Sequence, residues 1–346
     1  MPYLDYAATA LPKYKVSDYN YHWFNPNSHY AIDEVLSFGQ CEKDIKDAIG
    51  AKSGKVIFGG NASCLFEKLY NIQANFWLCS PYEHDCIYKN GLEVVDLNKT
   101  YPNNEIYCHQ FVNNITGQIF PVDKIGEKIK KDGCYFICDA TAGIGKAKIP
   151  DNIDDWCDCL VCSSHKLGVD NKQIGFAWIS DKFYNWLQLD CSVVNGYGLV
   201  DGTPDLACAK VTTDAVIDAC HDVEKNKQHY YNLVCHLTDK LLESKIEYEY
   251  VFIHTNCSSA INAIILPNIN ADALCNYLAT VHKVYISPGH SACEKESDYR
   301  VLKKYGLTQE ECESTIRVSF GPDTKTSDID ALVNGIVKFK EEYIID

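Results

Sequence analysis

The sequence predicts an α/β protein: a large domain on a mostly parallel seven-stranded sheet covered by helices, plus a smaller α/β C-terminal domain. Three observations predict it. Short β-branched or aromatic runs alternate with amphipathic stretches through the first half of the chain. The segment from Leu206 to Lys245 has helical composition and few breakers. Two further apolar runs, Ala260–Leu266 and Thr315–Phe320, follow it. The seven runs that read as strands are Val56–Phe58, Phe76–Cys79, Val94–Leu97, Ile106–Phe111, Tyr135–Cys138, Cys159–Cys162 and Ile174–Ile179. Ahead of them, Val35, Phe38, Cys41, Ile45 and Ile49 share one helical face, and Gly50 ends that helix. The long helical segment bridges to the smaller domain. On this reading the large domain spans 14–222, and the small domain joins 1–13 to 223–346.

Composition narrows the function classes. The 346 residues are 46% hydrophobic and 23% charged, the balance of a folded globular protein, and the length suits roughly two domains. No apolar run approaches the ~18 residues needed to cross a bilayer, and Met1 to Ala10 lacks the basic-then-apolar order of a signal peptide. The expected location is therefore cytoplasmic, with no membrane partner. A net charge of −15 argues against a phosphate-backbone-binding surface, so no nucleic-acid partner is expected. Eighteen cysteines in such a chain read as reduced, mostly packed side chains. Four sequons (Asn61, Asn98, Asn114, Asn256) then read as chance matches. Cys157, Cys159 and Cys162 have thiolate-like spacing, but they lie along a strand whose side chains alternate faces, and no fourth ligand follows; no metal is expected. Only Arg300 and Arg317 occur among 32 basic residues; genome composition is the plain cause, yet each becomes a candidate for a role that lysine's point charge cannot fill.

Three strand ends carry candidate chemistry. Ile57-Phe58-Gly59-Gly60-Asn61-Ala62-Ser63 runs from a strand through a glycine turn into a helix, which is either a phosphate site on the helix N-terminus or an ordinary turn capped by Asn61 or Ser63. Asp139 ends an apolar strand, where it either pairs with a cationic ring nitrogen or caps the next turn. Leu160-Val161-Cys162-Ser163-Ser164-His165-Lys166 brings a lysine just beyond a buried strand, where partial desolvation frees an amine for Schiff-base chemistry; the alternative is a solvated loop lysine. An anion turn, a strand-end acid and a strand-end amine, in that order, are what pyridoxal 5'-phosphate requires.

At this point the chain resembles the class V aminotransferase-like pyridoxal-phosphate enzymes of fold type I, and among them the cysteine desulfurases. The resemblance is carried by Tyr3-Leu4-Asp5-Tyr6-Ala7-Ala8-Thr9, Asn25-Pro26-Asn27-Ser28-His29, the turn Gly59 to Ser63, Glu83-His84, Val112-Asn113-Asn114 with Gly117, Asp139-Ala140-Thr141 with Gly145, Ser163-Ser164-His165-Lys166, Asp201-Gly202-Thr203, Ser291-Ala292-Cys293 and Ile316-Arg317-Val318-Ser319. It implies that Lys166 carries the cofactor and moves the substrate Cα proton, Asp139 pairs with the pyridine nitrogen, and His84 stacks on the ring and takes part in proton transfer. Asn114 is implied near the ring hydroxyl. Ala62, Ser63, Ser163 and His165 are implied at the phosphate, joined by Thr203 from the second subunit of a homodimer. Arg317 is implied as the clamp for the substrate carboxylate, a bidentate task suited to guanidinium. Cys293 is implied as the nucleophile that takes sulfur from L-cysteine as a persulfide, leaving L-alanine, and passes it to an acceptor protein of tRNA thiolation or iron–sulfur assembly.

The chain departs from the family pattern at Ala142, where glutamine is usual, at Cys64, where an acid is usual, and near Val200, where an arginine is usual. The loop following Cys293 is short. The resemblance leaves two other readings beside desulfuration: another class V activity (selenocysteine lyase, cysteine lyase or aminotransferase), and a partner-binding subunit with reduced activity.

Overall fold

The computed structural model describes residues 1–19, 26, 28, 32–72, 77–89, 93–94, 105–189, 199, 203, 205–252, 256–290 and 299–343. It divides into two compact units. One comprises Leu11–Val112 and Phe120–Val223; the other gathers Met1–Ala10, Asn113–Ile119 and Glu224–Asp346.

The first unit holds a seven-stranded sheet. Its strands are β1 (Lys55–Gly59), β2 (Trp77–Cys79), β3 (Glu93–Val94), β4 (Ile106–Gln110), β5 (Tyr135–Asp139), β6 (Cys159–Ser163) and β7 (Gly175–Ile179), in the spatial order β1-β7-β6-β5-β4-β2-β3. The pairs from β3 through β6 are parallel, and β7 runs antiparallel to both β6 and β1. The mostly parallel sheet expected from the sequence is thus present. Every residue of β4, β5, β6 and β7 is buried, which is why these strands read as continuous apolar runs rather than alternating ones. Phe136, Phe176, Trp156 and Trp178 fill the core, each fully buried aromatic contributing about 2–3 kcal/mol of transfer free energy.

Helices connect these strands: α1 (Ile32–Ile49), α2 (Ala62–Ile72), α3 (Asp85–Tyr88), α4 (Val122–Lys131), α5 (Ile153–Trp156), α6 (Asp181–Trp186) and α7 (Leu206–His221). The inner face of α1 is Phe38, Cys41, Ile45 and Ile49, all buried, and Gly50 ends it at φ +77°. Val35, expected on that face, is 41% exposed, because the apolar stripe is anchored only from Phe38 onward. The helix expected to run unbroken from Leu206 to Lys245 is two helices, α7 and α8 (Val223–Glu243). Asp222 between them leaves helical geometry at ψ 2°, with its amide still bonded to the Asp218 carbonyl.

The register positions the chemistry. Ser163 lies opposite Gly175, and Gly175 opposite Gly59, so the end of β6 and the turn leaving β1 stand at one level across β7. A Cβ at Gly175 would lie 2.4 Å from the Cys162 carbonyl oxygen, so only glycine allows this approach. On the other side of β6, Asp139 pairs with Val161 and with Gln110 of β4, which brings the carboxyl ends of three parallel strands together.

The second unit is built on a four-stranded antiparallel sheet, in order β10-β11-β9-β8, from β8 (Glu249–Tyr250), β9 (Ile261–Ile265), β10 (Ser287–Pro288) and β11 (Thr315–Ser319). Helices α9 (Ala271–Tyr277), α10 (Arg300–Lys304), α11 (Gln309–Glu313) and α12 (Thr326–Tyr343) accompany it. The N-terminal segment joins this unit through bridges from Tyr3 to Tyr285 and from Asp5 to Ser319, and the Ala7 amide donates to Ser319 Oγ at 2.8 Å. Asn113–Ile119 is attached by a bridge from Gln118 to Cys257. Among the described residues no helix is long and apolar enough to cross a membrane.

Candidate active site

In the first unit, the expected site residues of the sheet gather at strand ends. Asn61 caps α2, its side-chain oxygen accepting the Cys64 amide at 3.1 Å. The Ala62 amide, the first donor of that helix, bonds to Ser163 Oγ at 2.8 Å, and Ser163 is buried at the end of β6. Two residues expected at a phosphate therefore touch each other, while Ser63 is exposed beside them. The helix N-terminus supplies the positive dipole end that an anion favours.

Asp139 is buried at the end of β5, with Oδ1 accepting the Thr141 amide at 2.9 Å. Of the two readings open for it, the turn-capping one is thus realised. That bond leaves the second carboxylate oxygen as a further acceptor. Beyond β6, Ser164–Leu167 forms one 3₁₀ turn closed by Gly168 at φ +91°, and this turn carries His165 and Lys166, both half-buried. Burial pushes the His165 imidazole down to about 4, with the Lys166, Lys172 and Lys146 ammonium groups adding to the shift; at neutral pH His165 is an uncharged ring. Lys146 is itself buried, and that burial, assisted by the charge of Lys166, lowers its amine to about 8.

His84 stands at the N-cap of α3, where its Nδ1 accepts the Cys86 amide at 3.2 Å. The residue before it, Glu83, is fully buried and accepts the Gln110 amide at 2.6 Å, tying the Glu83-His84 turn to the end of β4. The Cys86 sulfur lies 3.1 Å from His84 Nδ1. Burial pushes its thiol up to about 12; the Asp139 carboxylate adds to this and the Lys166 charge opposes it.

In the second unit Arg317 is 2% exposed on β11. Its NH1 donates to the Asn114 carbonyl at 3.1 Å, and its NH2 donates to Asp5 Oδ1 at 2.9 Å and to Ser287 Oγ at 3.2 Å. Its Nε is buried with no hydrogen-bond partner among the described residues. A buried guanidinium with a donor to spare is a receptor for an oxyanion. Asn114, expected near a ring hydroxyl, is buried here and meets Arg317 through its main chain. Thr203 is exposed. Cys293 lies outside the described residues, in the segment between β10 and α10.

Some participants were not singled out from the sequence. Asp5 is one of these, because its pairing with Arg317 spans too much chain to be read locally. Cys86 had a local signal, since it stands two residues after a histidine at a helix start, where an N-cap side chain meets the following amides.

The donor set fits pyridoxal 5'-phosphate: a carboxylate for the ring nitrogen in Asp139, an amine in Lys166, an imidazole in His84, and a helix N-terminus flanked by Ser63 and Ser163 for the phosphate. The fold is that of the fold type I α/β transferases. A family model described as aminotransferase class-V matches residues 92–332, and the chain belongs to that family.

The chain is similar to proteins named cysteine desulfurase. It is 24% identical to a probable mitochondrial cysteine desulfurase of Dictyostelium discoideum, over 97% of this chain and 82% of that protein. It is 23% identical to the cysteine desulfurase IscS of Ruthia magnifica, over 99% of this chain and 93% of that protein. Among solved structures, a NifS-like protein from Rickettsia africae shares the fold with a TM-score of 0.82 at 20% identity, covering 100% of both chains.

Proposed function

We propose that this protein is a pyridoxal-phosphate-dependent cysteine desulfurase. It would convert L-cysteine to L-alanine and receive the sulfur on Cys293. The observation that supports this most is the arrangement of Asp139 and Lys166 at the carboxyl ends of β5 and β6, with the Glu83-His84 turn bonded to the end of β4 and the Ala62 amide of α2 bonded to Ser163 at the end of β6. The similarity to proteins named cysteine desulfurase adds the choice of substrate.

Pyridoxal 5'-phosphate supplies the electron sink that makes the Cα proton acidic and the Cβ–Sγ bond labile. Lys166 would carry the group and move the Cα proton. Asp139 would hold the pyridine nitrogen charged. His84 would stack on the ring and hand over protons. The Ala62 amide, Ser63, Ser163 and His165 would hold the phosphate, with Thr203 contributed by the other subunit of a homodimer, and Asn114 would serve the ring hydroxyl. Arg317 would take the substrate carboxylate. Cys293 would attack the substrate sulfur as a thiolate: an S–S bond forms, the Cβ–S bond breaks, and the carbon keeps the electron pair and gains a proton. The products are alanine and a persulfide on Cys293, which an acceptor protein, a tRNA-thiolation enzyme or an iron–sulfur scaffold, would take up in the cytoplasm.

The test is alanine release from L-cysteine by the purified protein supplied with pyridoxal 5'-phosphate and a thiol reductant. Many alanines per protein chain are expected. Pyruvate in place of alanine, or no product, overturns the assignment.

A further inference from the structure

The surroundings of His84 determine which of its nitrogens carries the proton. A main-chain amide can only donate, and the Cys86 amide points at Nδ1 from 3.2 Å. The Cys86 sulfur approaches the same nitrogen at 3.1 Å. The amide contact requires a lone pair on Nδ1, so the proton of the neutral ring belongs on Nε2. A thiol can both donate and accept, and beside an unprotonated Nδ1 it meets the ring as an S–H donor. The ring is further held by its own backbone: the His84 carbonyl accepts the Ile87 and Tyr88 amides at 3.0 and 3.1 Å, which locks the turn that presents it.

We infer that Cys86 is a positioning residue for His84: its amide and thiol hold the imidazole as the Nε2–H tautomer. His84 is then set as a proton donor through Nε2. It cannot first accept a proton at Nδ1 without breaking its bond to Cys86. The relevance of this to catalysis rests on the proposed desulfurase reading, but the tautomer is a property of the chain.

Nuclear magnetic resonance of the protein labelled with ring-¹⁵N histidine tests it, with and without pyridoxal 5'-phosphate, and a His84→Asn spectrum assigns the signal. The expected result at a pH where the ring is neutral is a protonated Nε2 and an unprotonated Nδ1 for His84. In Cys86→Ala the Nδ1 resonance should move downfield as one of its two donors disappears, and Cys86→Ser, which restores a donor, should bring it back. A proton on Nδ1 in the unaltered protein overturns the inference. An Nδ1 resonance that is the same in Cys86→Ala as in the unaltered protein overturns the part given to the thiol. A chain that shows the expected tautomer yet releases no alanine would refute the proposed function alone.

Discussion

Asp5 and Arg317 stand 312 positions apart in the chain, yet an oxygen of the Asp5 carboxylate lies 2.9 Å from the Arg317 guanidinium. The arginine side chain is 3% exposed and the aspartate 18%, so the pair is largely shielded from solvent. Removing one member of such a pair leaves a buried charge uncompensated. Asp5→Asn should therefore lower the unfolding free energy by about 3 kcal/mol, read from urea denaturation. A variant as stable as the parent would mean that Asn114 and Ser287 suffice to hold the guanidinium.

Lys166 is the amine expected to carry the cofactor. Lys166→Ala should leave the fold intact, since the residue is half-buried in a single turn. The same change should remove the visible absorbance band that a lysine-linked pyridoxal gives. Retention of that band after dialysis would assign the linkage to another amine, and the buried Lys146 would be the first to examine.

Cys293→Ala should keep the cofactor spectrum while sulfur transfer falls at least a hundredfold, the scale on which loss of a covalent nucleophile is felt. Sulfide release from cysteine at the unaltered rate would reduce Cys293 to a packing residue.

His109 gives a pH dependence with a defined sign. It is fully buried beside Phe120, donates from Nδ1 to the Gln110 carbonyl at 2.8 Å, and burial drives its imidazole from 6.5 down to about 4. The bond to the Gln110 carbonyl favours the charged ring, but desolvation outweighs it. Between pH 6.5 and 4 the unfolded chain binds a proton at this position that the folded chain refuses. Stability from this group is complete above 6.5 and falls away as the pH drops toward 4, by about 3 kcal/mol in all. His109→Gln, which does not titrate, should flatten the slope of unfolding free energy against pH over that window; an unchanged slope would show that the ring is charged when folded.

The strands were legible because those buried on both faces leave nothing but apolar runs in the sequence, as in β5 and β6. For the same reason the placement of Asp139 and Lys166 was legible: polar residues interrupt those runs where the chain leaves the sheet. The direction of β7 was not, because an apolar run carries no sign of which way it points. Neither was the break at Asp222, where one residue turns out of the helix without a glycine or proline to announce it. Arg317 stood out through the scarcity of arginine, whereas its partner did not, since an aspartate in an N-terminal motif looks the same whether it meets solvent or a guanidinium.

The two units are interleaved along the chain: the second owns Met1–Ala10 and Asn113–Ile119, the latter interrupting the sequence of the first, and resumes at Glu224. Order of synthesis then acquires a meaning. At about 5–20 residues per second, Asp5 leaves the ribosome roughly 15–60 s before Arg317 exists. The sheet unit has all its strands by Ile179 and can consolidate during that interval. The amino-terminal ten residues cannot, because the strand that receives them, β11, is made some 300 residues after them. A nascent chain stalled before Thr315 would thus hold all seven strands of the first sheet and a carboxylate still waiting for its cation.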